Sequence, residues 1–171
     1  MNNVPLEIER KYLIRMPSLD LLQKQNGYKD TEMLQMYLSQ NSDYAGMRIR
    51  KSVMDGVVSC KRTYKRDITP LKRVEIEEDI TLEEFNSLTA YRDLKYSPIH
   101  KHRHSFEYKG QTVELDIYDF WQDRATVEVE MRDEAQQVEL PPFLEVIKEV
   151  TEDLRYRNRS LAKSAITEEI N

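Results

Sequence analysis

Like charges recur in this chain in pairs two residues apart. Acids pair at Glu7 and Glu9, Glu75 and Glu77, Glu114 and Asp116, and Glu128 and Glu130; bases pair at Arg48 and Arg50 and at Lys101 and Arg103. In an extended strand such positions share a face about 7 Å apart, so each pair repels itself unless opposite charge lies nearby. Paired carboxylates suit a hard divalent cation, which takes oxygen ligands. Paired Arg and Lys suit a polyanion, above all phosphate, which Arg grips bidentately. A wetted sheet face accounts for any single pair, but exposed ion pairs contribute little and do not explain a whole set of them. Acid and base pairs on successive strands point to one interior cavity that holds metal and polyphosphate together.

The elements that must carry these pairs show the alternation of half-buried strands. In residues 6–14, Leu6, Ile8, Tyr12 and Ile14 share a face with Arg10, opposite Glu7, Glu9 and Lys11. The pattern returns at 47–50, 73–77, 113–117 and 127–131, and more weakly at 59–61 and 99–103. Thr81-Leu82-Glu83-Glu84 is a capping-box signature opening a helix through Phe85, Leu88 and Tyr91. Ser18 before Leu19, Leu21 and Leu22 predicts a short helix, and the segment from about 142 to 171 is expected to be helical with a break. Many antiparallel strands with few helices make an α+β domain. Closing them into a barrel puts the charged faces inside and Leu, Ile and Val outside against helices, the inverse of the usual barrel.

Composition narrows the function. The 171 residues, read as a single domain over 1–171, carry 33% charged and 39% hydrophobic residues, as in a soluble globular chain rather than a membrane-spanning one. A net charge of −5 argues against a nucleic-acid binder. Four glycines leave no glycine-rich phosphate loop. The single Cys60 forms no internal disulfide, which fits a reducing cytoplasm, and Glu7, Glu9, Arg10 and Lys11 interrupt any run that could serve as the apolar core of a signal peptide. By strand parity Cys60 points outward and has no base beside it, against a nucleophilic role. His100, His102 and His104 share the face opposite Lys101 and Arg103. Their spacing is one a transition metal can use, but parity turns them toward solvent or a helix instead. Trp121 follows in a loop, with packing as its expected role. Outward apolar residues are compatible with a homodimer and equally with a monomer whose helices cover them.

Glu7-Ile8-Glu9-Arg10-Lys11 resembles the E-x-E-x-K signature of the CYTH superfamily, the triphosphate tunnel metalloenzymes. The remaining motifs resemble that family in order: Gln35-Met36-Tyr37-Leu38, Arg48-Ile49-Arg50, Lys61, Arg73-Val74-Glu75-Ile76-Glu77, Lys101-His102-Arg103, Glu114-Leu115-Asp116 and Glu128-Val129-Glu130. A tail of Glu149-Val150-Thr151, Arg155-Tyr156-Arg157-Asn158 and Leu161-Ala162 resembles small bacterial members. The sequence departs from the family at Met36, where a glycine is usual, and at Phe143-Leu144-Glu145-Val146, where a W-x-G stretch is common.

The resemblance implies an eight-stranded antiparallel barrel, open as a tunnel, with helices outside. It implies that Lys11, Arg48, Arg50, Lys61, Arg73, Lys101 and Arg103 grip a triphosphate. Glu7, Glu9, Glu128 and Glu130 would hold Mg²⁺ or Mn²⁺. Asp116, with Glu75 and Glu77, would place a second metal or the attacking water. Tyr37 either bonds Lys11 or packs at a barrel end. Hydrolysis of inorganic triphosphate is the expected activity. The alternatives are an adenylate cyclase, a thiamine or nucleoside triphosphatase, and a non-catalytic polyphosphate binder.

Overall fold

The computed structural model describes residues 5–171. Nine strands run β1 (Leu6–Arg15), β2 (Asn26–Tyr37), β3 (Met47–Met54), β4 (Val57–Asp67), β5 (Lys72–Ile80), β6 (Ile99–Tyr108), β7 (Gln111–Tyr118), β8 (Arg124–Glu130) and β9 (Val146–Glu149). Three short helices, α1 (Leu19–Gln23), α2 (Leu82–Leu88) and α3 (Asn158–Lys163), join them. The sheet order is β5-β4-β3-β2-β6-β7-β8-β1-β9, and β5 also pairs with β1. Eight antiparallel strands therefore close into a barrel, as the alternation predicts.

Two tight turns fix the register that decides which charges face inward. Asp55-Gly56 links β3 to β4 and Lys109-Gly110 links β6 to β7, all four residues at positive φ. Two such residues in succession make the hairpin turn whose twist matches the strands. The pairing beside them, Met54 with Val57 and Tyr108 with Gln111, sets every later pair, and a slip of one residue would turn the charged faces outward. Closure is uneven. One edge of β1 pairs with β8 over Glu9–Arg15. The other edge is divided between β5, at Leu6–Ile8, and β9, at Tyr12–Ile14.

The apolar faces pack in three places. Outside the barrel, Leu22 of α1 joins Ile14, Phe106, Leu115, Val127 and Val129. Phe85 and Leu88 of α2 cover Leu38, Ile49 and Cys60. Fully burying one such side chain contributes about 1.5–3 kcal/mol, and the capping box that opens α2 is complete. Thr81 Oγ1 accepts from the Glu84 amide at 3.0 Å, and Glu84 Oε2 accepts from the Thr81 amide at 2.7 Å. The third cluster has inward parity: Leu13, Tyr37, Ile99 and Tyr118 pack with Val150, Tyr156, Leu161 and Ala162. The C-terminal segment thus fills one end of the bore with apolar side chains.

That segment corrects the expectation of a broken helix over 142–171. Val146–Glu149 is a strand on β1, a single 3₁₀ turn follows at Leu154–Tyr156, and only Asn158–Lys163 is α-helical. The free edge of β1 beyond β5 offers unpaired backbone groups, and Arg10 draws Glu149 in with a 2.8 Å bond. Backbone pairing there outweighs the local preference of a four-residue segment. Phe143–Val146 delivers Leu144 into the outer core before β9 begins. Met36 needs no glycine: it has no positive φ and packs outward against the cluster under α2.

Candidate active site

Around the closed ring the order is β1, β5, β4, β3, β2, β6, β7, β8. The inward acid pairs fall on four adjacent strands: Glu114 and Asp116 on β7, Glu128 and Glu130 on β8, Glu7 and Glu9 on β1, and Glu75 and Glu77 on β5. The inward base pairs fall on the other half, Arg48 and Arg50 on β3 and Lys101 and Arg103 on β6, with Lys61 and Lys65 on β4. Strands four places apart in an eight-membered ring lie opposite each other. So β8 faces β3, β7 faces β4 and β5 faces β6, and three of the four acid pairs look across the bore at bases. Only β2 is uncharged on its inner face, with Gln35 and Tyr37, opposite β1.

The bore encloses a cavity of about 910 Å³. Lys11, Tyr37, Arg48, Arg50, Arg73, Arg103, Glu7, Glu9, Glu75, Glu77, Glu128 and Glu130 line it, and so do Lys65, Glu114, Arg157 and Arg159. Three expected residues do not. Lys61 sits at the rim, bonded to Glu77 at 2.8 Å and near Asp79 at 3.5 Å. Lys101 and Asp116 lie beneath the cavity floor, joined at 2.7 Å and 1% exposed at both side chains. Asp116 also accepts from Arg103 at 2.8 and 2.9 Å, which commits both its oxygens. Its acidity is raised far beyond the usual carboxylate because Arg103 and Lys101 outweigh the cost of burial. Burial in turn draws the Lys101 ammonium down to about 7, despite Asp116.

The two halves differ in how well their charges are answered. On the acid side, Lys11 Nζ meets Glu128 at 3.1 Å, while Arg73 stands 3.5 Å from both Glu7 and Glu9. Lys65 Nζ donates to Glu7 at 2.9 Å and stands 3.7 Å from Glu75. Burial works to raise Glu128, but Lys11 and Arg103 bring it down to about 2. For Glu9 the compensation from Lys65 and Arg73 falls short. Burial pushes it up to about 8, with Glu128 and Glu7 adding to the shift, and it lies directly opposite Glu130 in register. Burial likewise lifts Glu75 to about 7. On the basic side, Arg50 reaches Glu77 only at 3.8 Å. Arg48 has no carboxylate partner among the described residues and only a 3.5 Å contact with Thr63. Burial, Arg48 and Arg103 together lower the Arg50 guanidinium to about 10. The Nε atoms of both arginines are buried without a hydrogen-bond partner.

These observations test the fit of a divalent cation. Among the described residues no three His, Cys, Asp or Glu side chains converge as metal ligands, because the carboxylates turn toward Lys and Arg. The donor set nonetheless suits one: Glu7, Glu9, Glu128 and Glu130 are clustered oxygen donors with Glu9 short of positive charge, the condition a hard dication relieves. Asp116 does not fit, since its oxygens are held by Lys101 and Arg103.

Tyr37 is 7% exposed, and its hydroxyl meets Gln35 at 3.4 Å rather than Lys11. Its ring carries the Arg159 guanidinium at 5.2 Å, which also stacks on Tyr96 at 4.6 Å. Asn158 accepts from the Tyr118 hydroxyl at 2.5 Å, and Arg157 pairs with Asp67, so the tail motif secures that end of the bore. Lys65, Glu114 and the tail arginines are lining residues the site assignment omitted. Lys65 was findable, since it shares the inward parity of Lys61 four residues on. His100 and His102 lie half-exposed on the outer wall, while His104 is buried against Tyr28, and Trp121 packs in the core with its indole N–H donating to the Ile166 carbonyl.

Fold and site together define a closed antiparallel β-barrel whose bore is acidic on one side and basic on the other. The chain belongs to the CYTH domain family, whose model matches residues 5–165. Its structure is similar to that of the inorganic triphosphatase NE1496, with TM-score 0.56 and 26% identity, covering 92% of this chain and 95% of that one. A second structure, described as the hypothetical protein NE1496, gives TM-score 0.57 and 29% identity over 92% and 98%. The PH1819 protein from Pyrococcus horikoshii OT3 shares the fold at TM-score 0.52 and 19% identity, over 75% and 80%. No curated protein matches the sequence. No helix among the described residues is long and apolar enough to cross a membrane.

Proposed function

We propose that this chain hydrolyses inorganic triphosphate with the help of Mg²⁺ or Mn²⁺ inside the bore. The observation that supports it best is the pair of under-compensated halves: on one side Glu9, buried among carboxylates with Arg73 no closer than 3.5 Å, and on the other Arg48 and Arg50, buried with unpartnered Nε atoms and no carboxylate nearer than 3.8 Å. A triphosphate carried with a divalent cation answers both at once. The named activity of NE1496, at 26% identity across nearly the whole chain, adds support.

In this reading Glu7, Glu9, Glu128 and Glu130 hold the cation, which supplies Lewis acidity toward the phosphoryl oxygens. Arg48, Arg50, Lys11, Arg73, Arg103 and Lys65 line the cavity and clamp the phosphates. Phosphoryl transfer spreads negative charge over the transferring group and asks the protein chiefly for positioning and neutralisation. Glu75 and Glu77, on the cavity wall, orient the attacking water. Lys101 and Asp116 act from below as positioning residues, holding Arg103 in place.

The test is phosphate release from triphosphate, ATP and thiamine triphosphate, with Mg²⁺, Mn²⁺ or EDTA, in wild type and Glu9→Gln. Metal-dependent release that is fastest from inorganic triphosphate and lost in Glu9→Gln supports the reading. Cyclic AMP formed from ATP without phosphate release from triphosphate would replace it with a cyclase.

A further inference from the structure

One cation that answers the acid half of the bore is lent by the basic half. Lys65 belongs to β4, and β5 stands between that strand and β1. Its partner in register is Glu75, yet its ammonium stays 3.7 Å from that carboxylate. It reaches past β5 instead, donating to Glu7 Oε1 at 3.2 Å and Oε2 at 2.9 Å. Both oxygens of Glu7 are thus engaged by a side chain that is not its neighbour in the sheet. Arg73, which is that neighbour, stands back at 3.5 Å. Lysine suits such a reach, because it carries a compact charge on a flexible four-carbon stem.

This contact bears directly on the acid pairs. Lys65 holds Glu7 toward β4, away from β8 where Glu128 and Glu130 lie. It is one reason why no three acids converge among the described residues. A dication and an ammonium repel at close range, so they do not share the same two oxygens. The lysine has somewhere else to go. Lys65 and Glu7 both line the cavity. On its other side β4 borders β3, where Arg48 and Arg50 have no carboxylate nearer than 3.8 Å.

We infer that Lys65 is an internal substitute for the divalent cation: it holds Glu7 until that carboxylate takes the cation, then turns to the phosphates beside Arg48 and Arg50. This rests on the reading of Glu7 as a cation ligand and adds a coupling to it. Filling the acid half frees a positive charge for the basic half. Cation and triphosphate therefore strengthen each other's binding, and by the same factor in both directions.

Mn²⁺ binding to the metal-stripped full chain, read as the fall in the free-ion electron paramagnetic resonance signal, tests this without turnover. Lys65→Met should tighten binding at least about fivefold, the low end of couplings between sites. Lys61→Met removes the same charge from the same strand, but at the solvent-screened rim, and should shift the affinity by less than about twofold. A crystal structure with Mg²⁺ tests the wild-type chain, in which the Lys65–Glu7 contact should be broken. Three results would overturn the inference while leaving the cation site standing: Mn²⁺ affinity unchanged in Lys65→Met, equal shifts in the two lysine variants, or a Lys65–Glu7 contact that persists beside bound Mg²⁺. A wild-type chain that binds no Mn²⁺ would overturn both.

Discussion

The acid half and the basic half of the bore are built on the same strand geometry but left in opposite kinds of deficit. Strands β7, β8, β1 and β5 crowd carboxylates until Glu9 holds its proton to about 8. Strands β3 and β6 bury guanidinium groups, two of them, both on β3, with an Nε that meets no acceptor. Where the halves are joined directly, as by Lys101, Arg103 and Asp116, the charges cancel, and Lys101 and Asp116 leave the cavity lining. The difference separates structural ion pairs, which satisfy themselves, from groups whose partners must arrive from outside. Unanswered charge inside a fold costs stability, and that cost is informative about function.

The largest effect should come from breaking the satisfied part. Asp116→Ala leaves Lys101 and Arg103 buried without their carboxylate, a change that typically costs about 3–5 kcal/mol. Urea unfolding should show that loss. A variant unfolding at the wild-type midpoint would mean that the pair is not structural. Arg50→Met probes the unanswered half and should show the reverse pattern. Phosphate release from triphosphate should fall about 10²–10³-fold if the guanidinium stabilises the transition state. Stability without ligand should hold or rise, because a crowded, poorly paired charge is gone. Rate and stability falling together would erase the distinction between the halves.

The acid half makes a pH prediction. A carboxyl whose folded pKa is raised binds its proton more tightly when folded. Its stabilisation is complete below the unfolded value of about 4.5 and is lost as pH rises toward about 8. In EDTA, the melting temperature should therefore decline from pH 5 to pH 8, with a slope of at most about 1.4 kcal/mol per pH unit from this group. Glu9→Gln should flatten the decline, and an equally steep profile in that variant would assign it elsewhere. The smallest effect belongs to the plugged end. Tyr118→Phe removes the bond to Asn158 and should cost about 1 kcal/mol in urea unfolding, with little change in phosphate release.

Much of this was legible in the residues. Strict alternation with an odd choice of polar residues gave both the strands and the inward direction of Glu7, Glu9, Arg48 and Arg50, and Thr81 with Glu84 marked the start of α2. What alternation cannot encode is depth along a strand. Lys61 and Lys65 have equal parity, yet one sits at the rim and the other in the cavity. Nor does it reveal that Asp116 faces two bases at once, which depends on β6 and β7 being neighbours. The separation into halves is likewise a property of ring order, produced when β1 closes between β5 and β8. The strand at Val146–Glu149 was hidden because four residues are too few to show a period, and its pairing edge lies over 130 residues earlier in the chain.

That late partner for β1 has a consequence for how the chain is made. Apart from three residues matched by β5, everything β1 pairs with lies at Arg124 or beyond. β1 therefore leaves the ribosome ahead of nearly all its partners and waits with bare edges while the strands up to β8 and β9 are synthesised. The charged side chains it carries, Glu7, Glu9 and Lys11, are of the kind that blunt edge-to-edge pairing of a strand left open.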